Sequence, residues 1–226
     1  GVGWVVDCSA DHRHVPGWVY GQPEWAAASL GDARRIAAPG CFATALTLGL
    51  APLVAAGIVR GTAMITAATG STGSGAEPSQ GTHHPLRAVN LRGYKVLAHQ
   101  HEPEVKTFLA SLGNAPELAF VPLSAPIDRG ILASLLVPVG GDAVSAVARA
   151  YEGAPLVRIR KGSPELRHVR GTAFADLSVQ QRGDVVSVLV AIDNLGKGAA
   201  AQAVQALNLS LGLPADLGLR VAAATP

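Results

Sequence analysis

A chain of 226 residues is long enough for one large domain or two small ones. With 49% hydrophobic and 15% charged residues it can bury a sizeable core, which argues against disorder. A net charge of +2 gives no reason to expect nucleic acid or a membrane surface as partner, and no apolar run reaches the roughly 20 residues of a membrane span.

The run Gly3 to Cys8 predicts a short buried strand of a parallel sheet, with Cys8 in the core. The chain goes into it from Gly1 rather than Met, so a further N-terminal segment is expected. Ser9 to Arg13 is a polar loop at the strand's carboxyl end, where open α/β sheets gather ligands. A short helix is predicted near Glu24 to Gly31 and a strand over Ile36-Ala37-Ala38.

Pro39-Gly40 then reads as a turn. Cys41 to Ala56 is apolar and uncharged and predicts a buried helix, which Pro52 should kink or end near Ala51. Cys41 falls at the first helical turn. Unpaired amides and the helix dipole there favour a thiolate, the competent nucleophile. The competing reading is a small, inert core cysteine. Two cysteines make no disulfide framework, so a reducing cytoplasm is the expected compartment.

Thr62 to Thr69 predicts a strand, and Gly70 to Gly93 a long irregular stretch opening Gly-Ser-Thr-Gly-Ser-Gly-Ala. Its amides could form an anion-binding nest, or the run could be a linker. It matches neither a Walker loop nor a dinucleotide fingerprint. Tyr94 to His99 predicts a strand, followed by His99-Gln100-His101-Glu102-Pro103-Glu104 opening a helix to about Leu112. Three readings stay open for this string. His99, His101 and Glu104 could hold a metal, His101 could be an acid–base group oriented by Glu104, or the string could be a polar helix start.

The second half predicts strands over Leu118 to Leu123, Ile131 to Val139 and Leu156 to Arg160, and a helix capped by Asp142. A hairpin is predicted over Ala173 to Gln181 and Asp184 to Ile192, turning at Arg182-Gly183. A final helix is predicted over Ala199 to Leu211. Strands broken by single helices suggest an α+β arrangement.

Five strings stand in the order seen in N-acetyl-γ-glutamyl-phosphate reductases of the semialdehyde dehydrogenase family. They are Pro39-Gly40-Cys41-Phe42-Ala43-Thr44, the Gly/Ser loop, His99 to Glu104, Arg129-Gly130-Ile131-Leu132, and Ile192-Asp193-Asn194-Leu195-Gly196-Lys197-Gly198-Ala199. The chain resembles this family over nearly its whole length. Gln100 stands where many members carry Arg, Phe42-Ala43 where many carry Tyr-Pro, and the family's opening Gly-rich cofactor loop is not matched.

The resemblance implies α/β plus α+β architecture. Residues 1–40 would be the late part of a Rossmann-like nucleotide-binding domain, and 41–194 a glyceraldehyde-3-phosphate-dehydrogenase-like catalytic and dimerisation domain. Residues 195–226 would be a helix returning to the first domain. The resemblance further implies NADPH-dependent reduction of a small-molecule acyl phosphate through a Cys41 thioester, in arginine biosynthesis. His101 would be the acid–base group, with His99 and Glu104 in support. Ser71, Thr72, Gly73 and Arg129 would bind substrate, Ser9 and Asn194 the cofactor, and no metal is expected. A homodimer or homotetramer is implied. The alternatives are a carrier-protein-linked acyl-phosphate reductase of lysine biosynthesis and a non-catalytic assembly module.

Overall fold

The computed structural model describes residues 3–223. A small parallel sheet sets β1 (Val5–Asp7) and β2 (Val19–Tyr20) on either side of β3 (Arg35–Ala37). A larger mixed sheet begins with β4 (Ala63–Thr69), β5 (Arg92–Gly93), β6 (Leu118–Ser124) and β7 (Ile131–Pro138). It is completed by β8 (Val157–Ile159), β9 (Ala175–Arg182) and β10 (Val185–Ile192). Its order is β5-β6-β4-β7-β10-β9-β8. Along β6 and β7 every second residue is buried, so one face carries the core and the other is turned outward. The β9–β10 hairpin pairs Arg182 with Val185, and Gly183 supplies the positive φ its two-residue turn needs.

The first strand is shorter than predicted, is only half-buried, and leaves Cys8 exposed rather than in the core. The strand predicted over Tyr94 to His99 does not form. β5 stops at Gly93, and Lys95 and Leu97 turn at φ 44° and 54°, outside β geometry.

Helix α1 (Pro23–Leu30) flanks the small sheet. Helix α2 (Cys41–Ala55) is buried from Phe42 to Val54 and lies on β7 and β10. Pro52 neither ends it nor breaks it near Ala51. Proline lacks an N–H, so the Leu48 carbonyl one turn earlier loses its helical partner. The buried hydroxyl of Tyr151 donates to that carbonyl at 2.6 Å and fills the vacancy. Tyr151→Phe should leave the carbonyl unpaired and cost about 1–3 kcal/mol, read as a lower denaturation midpoint. An unchanged midpoint would show that the carbonyl has found another donor.

Helix α3 (His84–Arg87) lies in the stretch read as irregular. Helices α4 (His101–Ala110) and α5 (Ala143–Ala150) pack against α2, and Asp142 caps α5 by accepting the Ser145 N–H. A π-helical turn over Gly196–Ala200 precedes α6 (Ala201–Ser210), which packs on α1 and the small sheet. Leu30, Ala33, Ile36 and Ala206 form an apolar cluster there. Lys197 is fully buried; its ammonium meets Glu24 of α1 at 2.5 Å and the Gln205 side-chain carbonyl at 2.7 Å. No described helix is long and apolar enough to cross a membrane.

Candidate active site

β3 ends at Ala37, and Gly40 caps α2 in an extended conformation, so Cys41 is the first helical residue. A buried carboxylate holds this turn. Glu104 Oε1 accepts the Gly40 N–H at 2.9 Å and the Tyr20 hydroxyl at 2.8 Å. Its other oxygen meets Arg13 Nη1 at 2.9 Å, and Arg13 Nε donates to the Ala38 carbonyl at 3.0 Å. Burial beside this carboxylate pushes the Tyr20 pKa up, keeping a proton to donate. Glu104 therefore fixes the nucleophile's turn and makes no hydrogen bond to His101, contrary to the orienting role expected of it. Its oxygens are committed, which also removes it from the metal reading. Among the described residues no group of three or more His, Cys, Asp or Glu could hold a metal ion.

His101 opens α4, and its ring lies directly on Gly40. A Cβ at residue 40 would stand 2.6 Å from the ring's Cε1, so this approach requires glycine. The His99 and His101 rings are 4.8 Å apart between centroids, both edge-on to Phe42. The His101 N–H donates to His99 Nδ1 at 3.2 Å, which puts the proton of a neutral His99 on Nε2. Burial pulls the His99 pKa down to about 4 and that of His101 to about 3, the neighbouring His99 and Arg13 adding to the second shift. His101 Nδ1 is buried without a partner.

The Cys41 thiol runs against expectation. Burial pushes its pKa up to about 11, and the amides of Phe42 and Cys41 pull it down by less. Desolvation outweighs the helix N-terminus, so burial favours a thiol and neutral imidazoles at rest. A cavity of about 330 Å³ opens over it, lined by Cys41, His99, His101, Tyr94, Arg87 and Ser124 among others.

The other predicted residues are placed differently. Ser71–Ser74 form a 3₁₀ turn, and its first three amides are spent inside the chain. Ser71 N–H donates to Ile127, Thr72 N–H to Asp128 and Gly73 N–H to Gly70, so the first three do not form an open anion nest. Gly73 lies on the cavity wall; Ser71 and Thr72 do not. Arg129 pairs with buried Asp193 at 2.6 Å and also lies off the wall. Asn194 is buried. Its Oδ1 accepts the Gly130 N–H at 2.7 Å, and its Nδ2 donates to Thr72 Oγ1 at 3.1 Å. Ser9 is exposed and bonded to the Asp7 carboxylate through both its N–H and its hydroxyl. Asn194 keeps one Nδ2 N–H beyond these bonds, and Ser9 stays open to solvent.

Two residues at the site were not singled out from the sequence. Gly198 faces Cys41 so closely that a Cβ would stand 2.9 Å from the Cys41 Cβ. Its signal was its place in the string from Ile192 to Ala199, as Gly-Lys-Gly before an Ala-rich helix. Arg87 lines the cavity from the end of α3 and had no signal beyond its charge.

Residues 41–194 match the family model described as semialdehyde dehydrogenase, dimerisation domain. N-acetyl-gamma-glutamyl-phosphate reductase from Shouchella clausii is 38% identical, over 96% of this chain and 66% of its own length. The protein of the same name from a Bradyrhizobium species is 36% identical, over 98% and 71%. The chain thus spans about two thirds of the length of these relatives. Aspartate semialdehyde dehydrogenase II from Vibrio cholerae superposes with a TM-score of 0.75 at 16% identity, over 92% of this chain and 72% of that one. A probable aspartate-semialdehyde dehydrogenase from Pseudomonas aeruginosa gives 0.72 at 20%, again over 92% and 72%. These two likenesses show a shared fold. With the cysteine turn, the paired imidazoles and the matched sequence in one place, the chain belongs to the N-acetyl-γ-glutamyl-phosphate reductases of the semialdehyde dehydrogenase family.

Proposed function

We propose that this chain carries the acylation chemistry of an N-acetyl-γ-glutamyl-phosphate reductase, an oxidoreductase of arginine biosynthesis. One observation carries the reading: a single cavity holds Cys41, at the start of α2, together with both imidazoles. The Cys41 sulfur attacks the acyl carbon, and its proton passes to His101. The bond from acyl carbon to phosphate oxygen breaks, and phosphate leaves with the electron pair. A thioester on Cys41 remains. The anionic substrate favours imidazolium, so the proton moves when substrate arrives rather than in the resting protein. Glu104 serves through the turn it holds.

The two electrons that take a thioester to an aldehyde come from a nicotinamide cofactor in this family, read here as NADPH. Asn194, with one amide N–H uncommitted, and exposed Ser9 are the residues read as holding it, and the steps derived for the chain's own residues end at the thioester. The names of the relatives favour the free N-acetylglutamyl substrate and give no support to the carrier-linked one.

Residues 41–194 are read as the catalytic and dimerisation domain, with 1–40 and 195–226 belonging to the nucleotide-binding side. The packing of α6 on the small sheet supports this division. The family model is that of a dimerisation domain, and exposed Met64 and Leu136, paired across β4 and β7, offer apolar surface to a second copy. A homodimer or homotetramer in the cytoplasm is the reading.

The test is to mix the protein with N-acetyl-γ-glutamyl phosphate and no cofactor. A hydroxylamine-labile acyl adduct on Cys41, with one phosphate released per adduct, is expected. Absence of both overturns the reading.

A further inference from the structure

We infer that Arg87 binds an anionic end of the substrate in the cavity beside Cys41; this deepens the acyl-phosphate reading and rests on it. Arg87 is only 8% exposed, and it shares the cavity wall with the nucleophile. Its guanidinium donates to the Ser124 hydroxyl, and to the Thr69 carbonyl at 3.3 Å. Both acceptors are neutral. Its Nε is buried with no partner.

The contrast with other arginines near the site sharpens this. Arg13 meets the carboxylate of Glu104, and Arg129 that of Asp193. Arg87 has no carboxylate partner among the described residues, and its charged neighbour Arg92, also on the wall, is a second cation. A buried cation with no counter-ion is costly to keep. An oxyanion entering the cavity supplies both the missing charge and an acceptor for Nε, in the fork geometry that guanidinium suits. The Ser124 and Thr69 contacts fix the guanidinium before the ligand arrives. The proposed substrate carries oxyanions at both ends, a carboxylate and a phosphate, and Arg87 is matched to either chemistry.

The experiment compares alkylation of Cys41 by anionic iodoacetate and neutral iodoacetamide, followed by peptide mass. In Arg87→Gln the iodoacetate-to-iodoacetamide rate ratio should fall about tenfold or more below that of the unsubstituted protein. Arg87→Lys, which keeps the charge and loses the fork, should give a smaller fall and carries the test if the Gln variant does not fold. An unchanged ratio in the folded variant overturns the assignment. Protection of Cys41 by inorganic phosphate and by N-acetylglutamate separates the two ends. Protection lost for phosphate alone assigns Arg87 to the phosphate, and protection lost for N-acetylglutamate assigns it to a carboxylate. Retention of both overturns it. The readout needs neither acyl phosphate nor cofactor, so a failed acylation assay leaves this result standing.

Discussion

Cys41→Ser is expected to lower phosphate release from N-acetyl-γ-glutamyl phosphate by roughly three orders of magnitude or more, with the fold retained. The hydroxyl is slightly smaller than the thiol and introduces no clash, so the turn held by Glu104 and the packing of Gly198 survive. What is lost is the only sulfur in the cavity, since Cys8 is exposed and elsewhere. Turnover by the serine variant within tenfold of the original would remove Cys41 from the chemistry. The same residue makes a pH prediction. A thiol whose pKa stands at about 11 is almost wholly protonated at neutral pH. Alkylation by iodoacetamide, measured in a Cys8→Ser background, should climb about tenfold per pH unit from 7 to 10 without levelling, because the rate follows the thiolate fraction. A plateau near pH 7 would mean that the helix N-terminus outweighs desolvation after all.

His101→Asn should slow acylation of Cys41 by about 10²–10⁴-fold, the range that loss of a positioned base produces. His99→Asn should cost less, because one nitrogen of His99 is already committed to the His101 amide. Stability should respond to pH through the same rings. His101 in the folded protein has its pKa depressed to about 3, below the ordinary 6.5, and His99 to about 4. Below pH 6.5 the unfolded chain therefore takes up protons that the folded chain refuses, and stability falls as pH falls. The melting temperature should decline from pH 6.5 to 5, where few carboxylates titrate, and His101→Asn should decline less steeply. Equal slopes would show that His101 is not held neutral by burial.

The local grammar of this chain was readable where partners are near in sequence. The β9–β10 hairpin (its turn one residue later than expected, at Gly183-Asp184), the Asp142 cap and the apolar run after Gly40 each became the predicted element, because the residues that decide them lie within a few positions. Pro52 misled because its compensation comes from Tyr151, 103 residues from the carbonyl it rescues. Glu104 was marked as a site residue, but its partners Arg13, Tyr20 and Gly40 are brought to it by the tertiary fold rather than by spacing. The state of Cys41 could not be read from a helix start alone, since a dipole is a local property and desolvation belongs to the whole fold. Arg87 was illegible for the same reason: a missing counter-ion shows only once every neighbour has its place.

Gly198 presses on Cys41 from far along the sequence, and Lys197 beside it is drawn in by Glu24, which precedes the cysteine. A ribosome finishes α2 long before it makes either residue. During synthesis the thiol stands without one of its walls, and the whole of the larger sheet can form while that wall is absent. Closure around the nucleophile is therefore a late, long-range event, of the kind that slows folding. A chain interrupted after β10 would keep its strands and its cysteine yet leave that cysteine open on one side. Reactivity at Cys41 thus reports whether the Gly198 turn has closed over the nucleophile.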